Sequence, residues 1–166
     1  MKRNFLLIAL LSVATVLLSF QIINQKDDDR SMKEKYEILW DQFEKHMNDD
    51  LPESAQKVLD LIEQKAVKER NQVQLLKTIL YRRKVMYETV EENPEEAYLQ
   101  YALAQLDRLE TAEQALLHEE IAALYASYLE DNEYQISENL AIDGSLDDVA
   151  MKYWDRRTFE NLITKH

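Results

Sequence analysis

The sequence predicts an all-α protein, and three observations predict it. The chain holds one glycine and two prolines in 166 residues. Short β-hairpins depend on Gly or Asn-Gly at positive φ, and no Asn-Gly pair occurs. Apolar residues make up 46%, ordinary for a globular chain, so a packed core is expected. From Ser31 onward those residues recur at the helical period.

The elements follow in order. Tyr36, Leu39, Trp40, Phe43 and Met47 lie at i, i+3, i+4, i+7 and i+11, one face of a first helix. Ser31 with Glu34 fits a capping box at its start. Asn48, Asp49 and Asp50 end the pattern, and Pro52 suits the first turn of a second helix, which carries Ala55, Val58, Leu59, Ile62 and Ala66. A third helix is expected from about Asn71 to Val90, with Val73, Leu76, Leu80, Tyr87 and Val90 on its inner side. Pro94 opens a fourth with Tyr98, Tyr101, Ala102, Leu106 and Leu109. Thr111 and Gln114 fit a capping box for a fifth, which aligns Leu117, Ile121, Leu124 and Tyr128. Trp40 and Trp154 are both expected in the core.

Pro52-Glu53-Ser54-Ala55 recurs as Pro94-Glu95-Glu96-Ala97, and each copy opens a helix that follows another helix. Helix pairs at such spacing build tetratricopeptide-type solenoids. The expected architecture is therefore antiparallel helix pairs, in a tetratricopeptide-like right-handed solenoid or a compact helical bundle. From about residue 130 the pattern shortens and a tail follows. Trp154-Asp155 precedes a last amphipathic helix with Phe159, Leu162 and Ile163. This tail is expected to cap the repeat, covering an apolar face that would otherwise meet water.

Lys2 and Arg3 precede an uncharged run from Phe5 to Phe20, the pattern of a secretory signal. Extended to Ile23, the run approaches the roughly 20 residues that span a bilayer. Residues 1–20 are thus expected to be a signal peptide or an uncleaved N-terminal anchor. Residues 21–31 form a polar linker, and residues 32–166 form the helical-repeat domain. Contact with the membrane is expected only through residues 5–23, if these stay uncleaved. The expected location is the periplasm or cell envelope.

The formal charge is −12, which disfavours phosphate backbones, so no nucleic acid partner is expected. Without cysteine there are no disulfides, thiolate metal sites or thiol nucleophiles. His118-Glu119-Glu120 starts like a zinc-protease motif, but Ala122 stands where the second histidine is needed. Read as a calcium loop, Asp143, Asp147 and Asp148 put Asp148 at the glycine position and Trp154 at the glutamate position. One glycine cannot form a phosphate cradle. The basic run Arg82-Arg83-Lys84 is expected to pair with Glu88, Glu91, Glu92, Glu95 and Glu96 along the helix and its loop. Some tyrosines are candidates for a concave binding face. No catalytic, cofactor-binding or metal-ligating residue is singled out, and no cofactor is expected.

Leu39-Trp40-Asp41-Gln42-Phe43, then Leu51-Pro52-Glu53-Ser54-Ala55 with Val58, then Asn71, Gln74 and Leu80-Tyr81-Arg82, resemble the N-terminal helical region of large bacterial alpha-2-macroglobulin-like proteins. Leu124-Tyr125-Ala126-Ser127-Tyr128, Asn132, Tyr134, Ile136, and Trp154-Asp155 with Phe159 extend the resemblance, which covers about Tyr36 to Ile163. Members of that family trap proteases through a bait segment and a thioester in a C-x-E-Q-type motif. This chain has neither that cysteine nor that motif, so the resemblance implies location and architecture, not trapping chemistry. It implies an exported, non-catalytic helical scaffold or interaction module. Its partners would be proteins, including the rest of a longer macroglobulin chain. The alternatives are a free-standing envelope protein-binding solenoid and a helical envelope hydrolase or ligand-binding domain. A reporter active only outside the cytoplasm, fused after His166, is expected to work. Deleting residues 4–20 should abolish its activity, and activity confined to the cytoplasm would refute export.

Overall fold

Every regular element among the described residues is helical. The computed structural model describes residues 35–141, 146 and 149–166. The segment 5–23, the linker 21–31, the Ser31–Glu34 capping box and the Asp143–Asp148 turn lie outside these residues. So does the expected domain boundary at residues 31 and 32. Seven α-helices are present among the described residues: α1 (35–48), α2 (Pro52–Glu69), α3 (Gln72–Thr89), α4 (Pro94–Gln105), α5 (Thr111–Asp131), α6 (Glu133–Ser137) and α7 (Arg156–Lys165). Two short 3₁₀ turns, Leu106–Arg108 and Met151–Tyr153, complete the set. No described helix is long and apolar enough to cross a membrane.

The chain divides into two units, Met1–Asp41 and Gln42–His166. Of the first, residues 35–41 are described, and they are helical with Tyr36 and Trp40 buried. The second unit holds the remaining elements. Both tryptophans are in the interior as expected, Trp40 at 7% exposure and Trp154 at 8%.

A chain almost without glycine must still end its helices. Among the described residues, three non-glycine residues take up the left-handed conformation: Asp50 (φ 56°), Arg70 (φ 54°) and Asn93 (φ 50°). At the first two the backbone closes in the Schellman manner. Leu51 N–H donates to His46 O at 2.9 Å, and Asn71 N–H donates to Ala66 O at 2.9 Å. Asp and Asn tolerate this region through their short polar side chains. Arg70 has no such compensation. Asn71 then caps the next helix, its Oδ1 accepting from Gln74 N–H at 3.1 Å. Helix α2 therefore reverses into α3 within two residues and forms a helical hairpin.

Helix α2 buries Ala55, Val58, Leu59, Ile62 and Ala66, all five of the residues its periodicity selected. Helix α3 differs. Its buried residues are Leu75, Leu76, Thr78, Ile79, Arg82 and Val85, while Val73 is 66% exposed and Tyr87 37% exposed. At 100° per residue, Val73 and Leu75 lie on nearly opposite sides of the helix. The polar Thr78 and Arg82 obscure the true stripe. Thr78 is buried at no cost in lost bonds, because its Oγ1 donates to Leu75 O at 2.7 Å. Phe43 of α1 meets the Tyr81 ring near the middle of α3 edge-on at 5.6 Å. Lys77 and Lys84 place their ammonium groups 5.3 and 5.2 Å from the same ring.

Proline stands in the first turn of both α2 and α4, as the repeated Pro-Glu-x-Ala motif predicts. The buried set of α4 is Tyr98, Leu99, Ala102 and Gln105. Helix α4 then tightens into the turn Leu106–Arg108 and leads through Leu109, a core residue, into α5. The Thr111 capping box does not form. Glu110 is the N-cap residue and makes no side-chain cap bond. The amide of Gln114 reaches back instead to donate to Leu106 O at 2.9 Å.

Helix α3 packs against α4 and α5, and α7 packs against α5. The shared core runs through Leu75, Leu76 and Ile79, Tyr98 and Ala102, and Leu117, Ile121 and Tyr125. It continues into the tail at Ile136, Met151, Trp154 and Phe159. Because Arg70 holds a left-handed backbone that costs a residue with a Cβ about 1 kcal/mol, Arg70→Gly should stabilise the protein by roughly 0.5 to 1 kcal/mol. Urea unfolding of the two proteins measures this; a destabilised variant would show that the Arg70 side chain contributes more than its backbone costs.

Candidate functional site

Two polar constellations interrupt the apolar packing. The first centres on Arg82, whose side chain is about one-tenth exposed. Its Nη1 lies 2.7 Å from Asp60 Oδ1, and its Nη2 donates to Glu63 Oε2 at 3.0 Å. Both acceptors stand on α2, one turn apart. The second oxygen of Glu63 accepts from Arg108 Nη1 at 2.7 Å, and Arg108 also bonds to Gln105 Oε1. The Tyr101 ring lies 5.8 Å from the Arg82 guanidinium carbon. One carboxylate thus joins α3 to the turn after α4. Burial is the largest single influence on Arg82 and opposes its charge, but Asp60 and Tyr101 together outweigh it and hold the guanidinium above its ordinary pKa. Burial likewise raises the phenols of Tyr98 and Tyr101.

These contacts correct the pairing expected for the basic run. Arg82 and Arg83 do not turn to the glutamates that follow them. Arg82 reaches α2, and Arg83 Nη1 donates to Glu120 Oε1 on α5 at 3.1 Å. Arg83 also stands over the Tyr87 ring at 5.3 Å. The signal that could have revealed this is position. Arg82 falls three residues after Ile79 and three before Val85, on the buried stripe, where a charge must meet a partner.

The second constellation borders a cleft of about 670 Å³. Leu99, Gln100 and Leu103 of α4, Tyr125 of α5, the tail residues Val149, Met151 and Trp154, and Leu162 of α7 line it. Glu96, Lys165 and His166 supply its charged or titratable groups. The tail is tied down on several sides. Met151 N–H donates to Glu96 Oε1 at 3.2 Å, and Trp154 Nε1 donates to Val149 O at 2.7 Å. Asn139 Nδ2 donates to the carbonyls of Lys152 and Trp154, each at 2.8 Å. Asp155 caps α7, its Oδ1 accepting from Thr158 N–H at 2.7 Å, and this bond lowers its carboxyl pKa. Phe159 stacks on Tyr128 at 5.6 Å and meets Trp154 at 5.4 Å.

His118, the residue of the partial zinc motif, faces this region from α5. Its Nδ1 lies 2.7 Å from Nδ1 of His166. Among the described residues no group of three or more His, Asp or Glu side chains is placed to hold a metal ion. Of the candidate binding tyrosines, Tyr98 and Tyr125 are buried in the core, whereas Tyr134 and Tyr153 are exposed. Compared with known proteins, the chain matches no family model, no curated protein and no solved structure.

Proposed function

We propose that this chain is a non-catalytic helical interaction module of the cell envelope, built like the N-terminal helical region of bacterial alpha-2-macroglobulin-like proteins. The observation that carries the reading is the succession of helices. The hairpin α2–α3 is followed by α4 and α5, which pack on α3, and the tail then packs on α5. Hairpins that each bury a face on the next are how tetratricopeptide-like solenoids grow, and a terminal element of different pattern closes them. The charge of −12 favours a partner with a basic surface. Within a longer macroglobulin chain, that partner would be the chain's own later domains.

A second reading, an envelope ligand-binding domain or hydrolase on a helical bundle, draws support from the cleft beside α7. Apolar side chains such as Leu99, Leu103 and Leu162 line it together with Glu96, Lys165 and His166, the kind of mixed lining that small-molecule sites use. Photo-crosslinking in the native envelope separates the two. Crosslinkers placed at the exposed positions Val73, Leu116 and Tyr134 of the full chain are expected to give a discrete protein adduct that weakens as salt rises. No adduct from any position, together with saturable binding of a small molecule that protects cleft residues such as Leu103, would overturn the module reading.

A further inference from the structure

We propose that His118 and His166 form an acid-sensitive latch that holds α7 on α5. The two Nδ1 atoms are 2.7 Å apart, and the rings lie 4.9 Å apart between centroids. At this distance one Nδ1 donates and the other accepts. Such a bond exists with both rings neutral, or with one proton added to the pair. A second proton removes the acceptor and sets two cations against each other across the helix interface.

The surroundings offer little to absorb that charge. On α7 the neighbour is Lys165, itself cationic. From α5 the Tyr125 ring faces His166 at 6.0 Å, and from α4 the cleft brings Glu96, whose Oε1 accepts from the Met151 amide. Among the described residues neither histidine lies within ion-pair distance of a carboxylate. Burial lowers the pKa of His166, and His118 and Lys165 lower it further.

The sign follows from linkage. A group whose folded pKa lies below its unfolded value favours the folded, docked state at higher pH. That contribution is full above the unfolded value of 6.5 and is lost as pH falls through the lower folded value. Acid therefore weakens the α7–α5 contact below about pH 6.5. The Asp155 cap survives this window, because its own pKa is depressed below 3.8. Release of α7 lifts Phe159 from Tyr125 and Tyr128 and opens the cleft.

Amide hydrogen exchange on the full chain tests the latch, with protection factors corrected for intrinsic rates at each pH. Between pH 7.5 and 5.0 the protection of α7 amides should fall about tenfold while that of α3 amides holds. In His118→Gln, which keeps a hydrogen-bonding side chain but cannot take the charge, the α7 change should shrink, leaving only the part that burial and Lys165 impose on His166. Constant α7 protection in the unaltered protein, or an equal fall in His118→Gln, overturns the proposal. If that variant fails to fold, imidazole titration by NMR in the unaltered protein decides. Coupled titration of the two rings, with His166 shifted below its ordinary 6.5, supports the latch, and an uncoupled, unshifted His166 overturns it.

Discussion

Burying a guanidinium costs several kcal/mol unless carboxylates meet it with good geometry, and much of the second unit is arranged around meeting that demand at Arg82. Asp60 and Glu63, three residues apart on α2, share one face of the helix and close on the two Nη atoms. This fixes how far α3 slides along α2. Glu63 then spends its other oxygen on Arg108, so the turn after α4 is held to the first hairpin as well. An ionic contact of fixed geometry discriminates register more sharply than an apolar stripe, and we infer that it sets the packing of α2 on α3.

Beyond this node the core is aromatic rather than ionic. Tyr125, Trp154 and Phe159 meet within 5.4 to 6.3 Å of one another, and they draw the irregular tail onto α5. Hydrogen bonds from Asn139, Trp154 and the Met151 amide order a segment that has little helical propensity of its own. The consequence is a difference in kind between the two ends of the unit. The α2–α3 hairpin is pinned by the ion pairs of Arg82 with Asp60 and Glu63. The α7 end is held by ring packing and a histidine pair, contacts that a proton can alter. Under the proposed reading as an interaction module, an end that can loosen is where partner binding would be adjusted.

Helix positions were legible in the sequence wherever apolar residues alone define a face. Helix α2 is the plain case, and α7, which follows Trp154-Asp155 and buries Phe159, is another. Periodicity failed on α3 because its buried side includes Thr78 and Arg82, polar residues satisfied by a backbone carbonyl and by a neighbouring helix. Neither partner is visible from local spacing. The Thr111 box failed because Thr111 is already the first helical residue and the N-cap position falls on Glu110, just after the 3₁₀ turn. Counting glycines correctly excluded hairpin turns, yet it hid the left-handed caps, which here use Asp, Arg and Asn. The histidine pair joins residues 48 apart in sequence, and no short motif signals such a contact.

The account rests most heavily on the claim that Arg82 and Glu63 set the packing of α2 on α3. A double-mutant cycle of Arg82→Met and Glu63→Gln, read by denaturant unfolding, tests it. We expect each single variant to be destabilised and a coupling energy of about 1.5 kcal/mol or more, since contacting buried charges interact on that scale. Additive effects, with coupling near zero, would contradict the claim and leave the hairpin register to apolar packing alone.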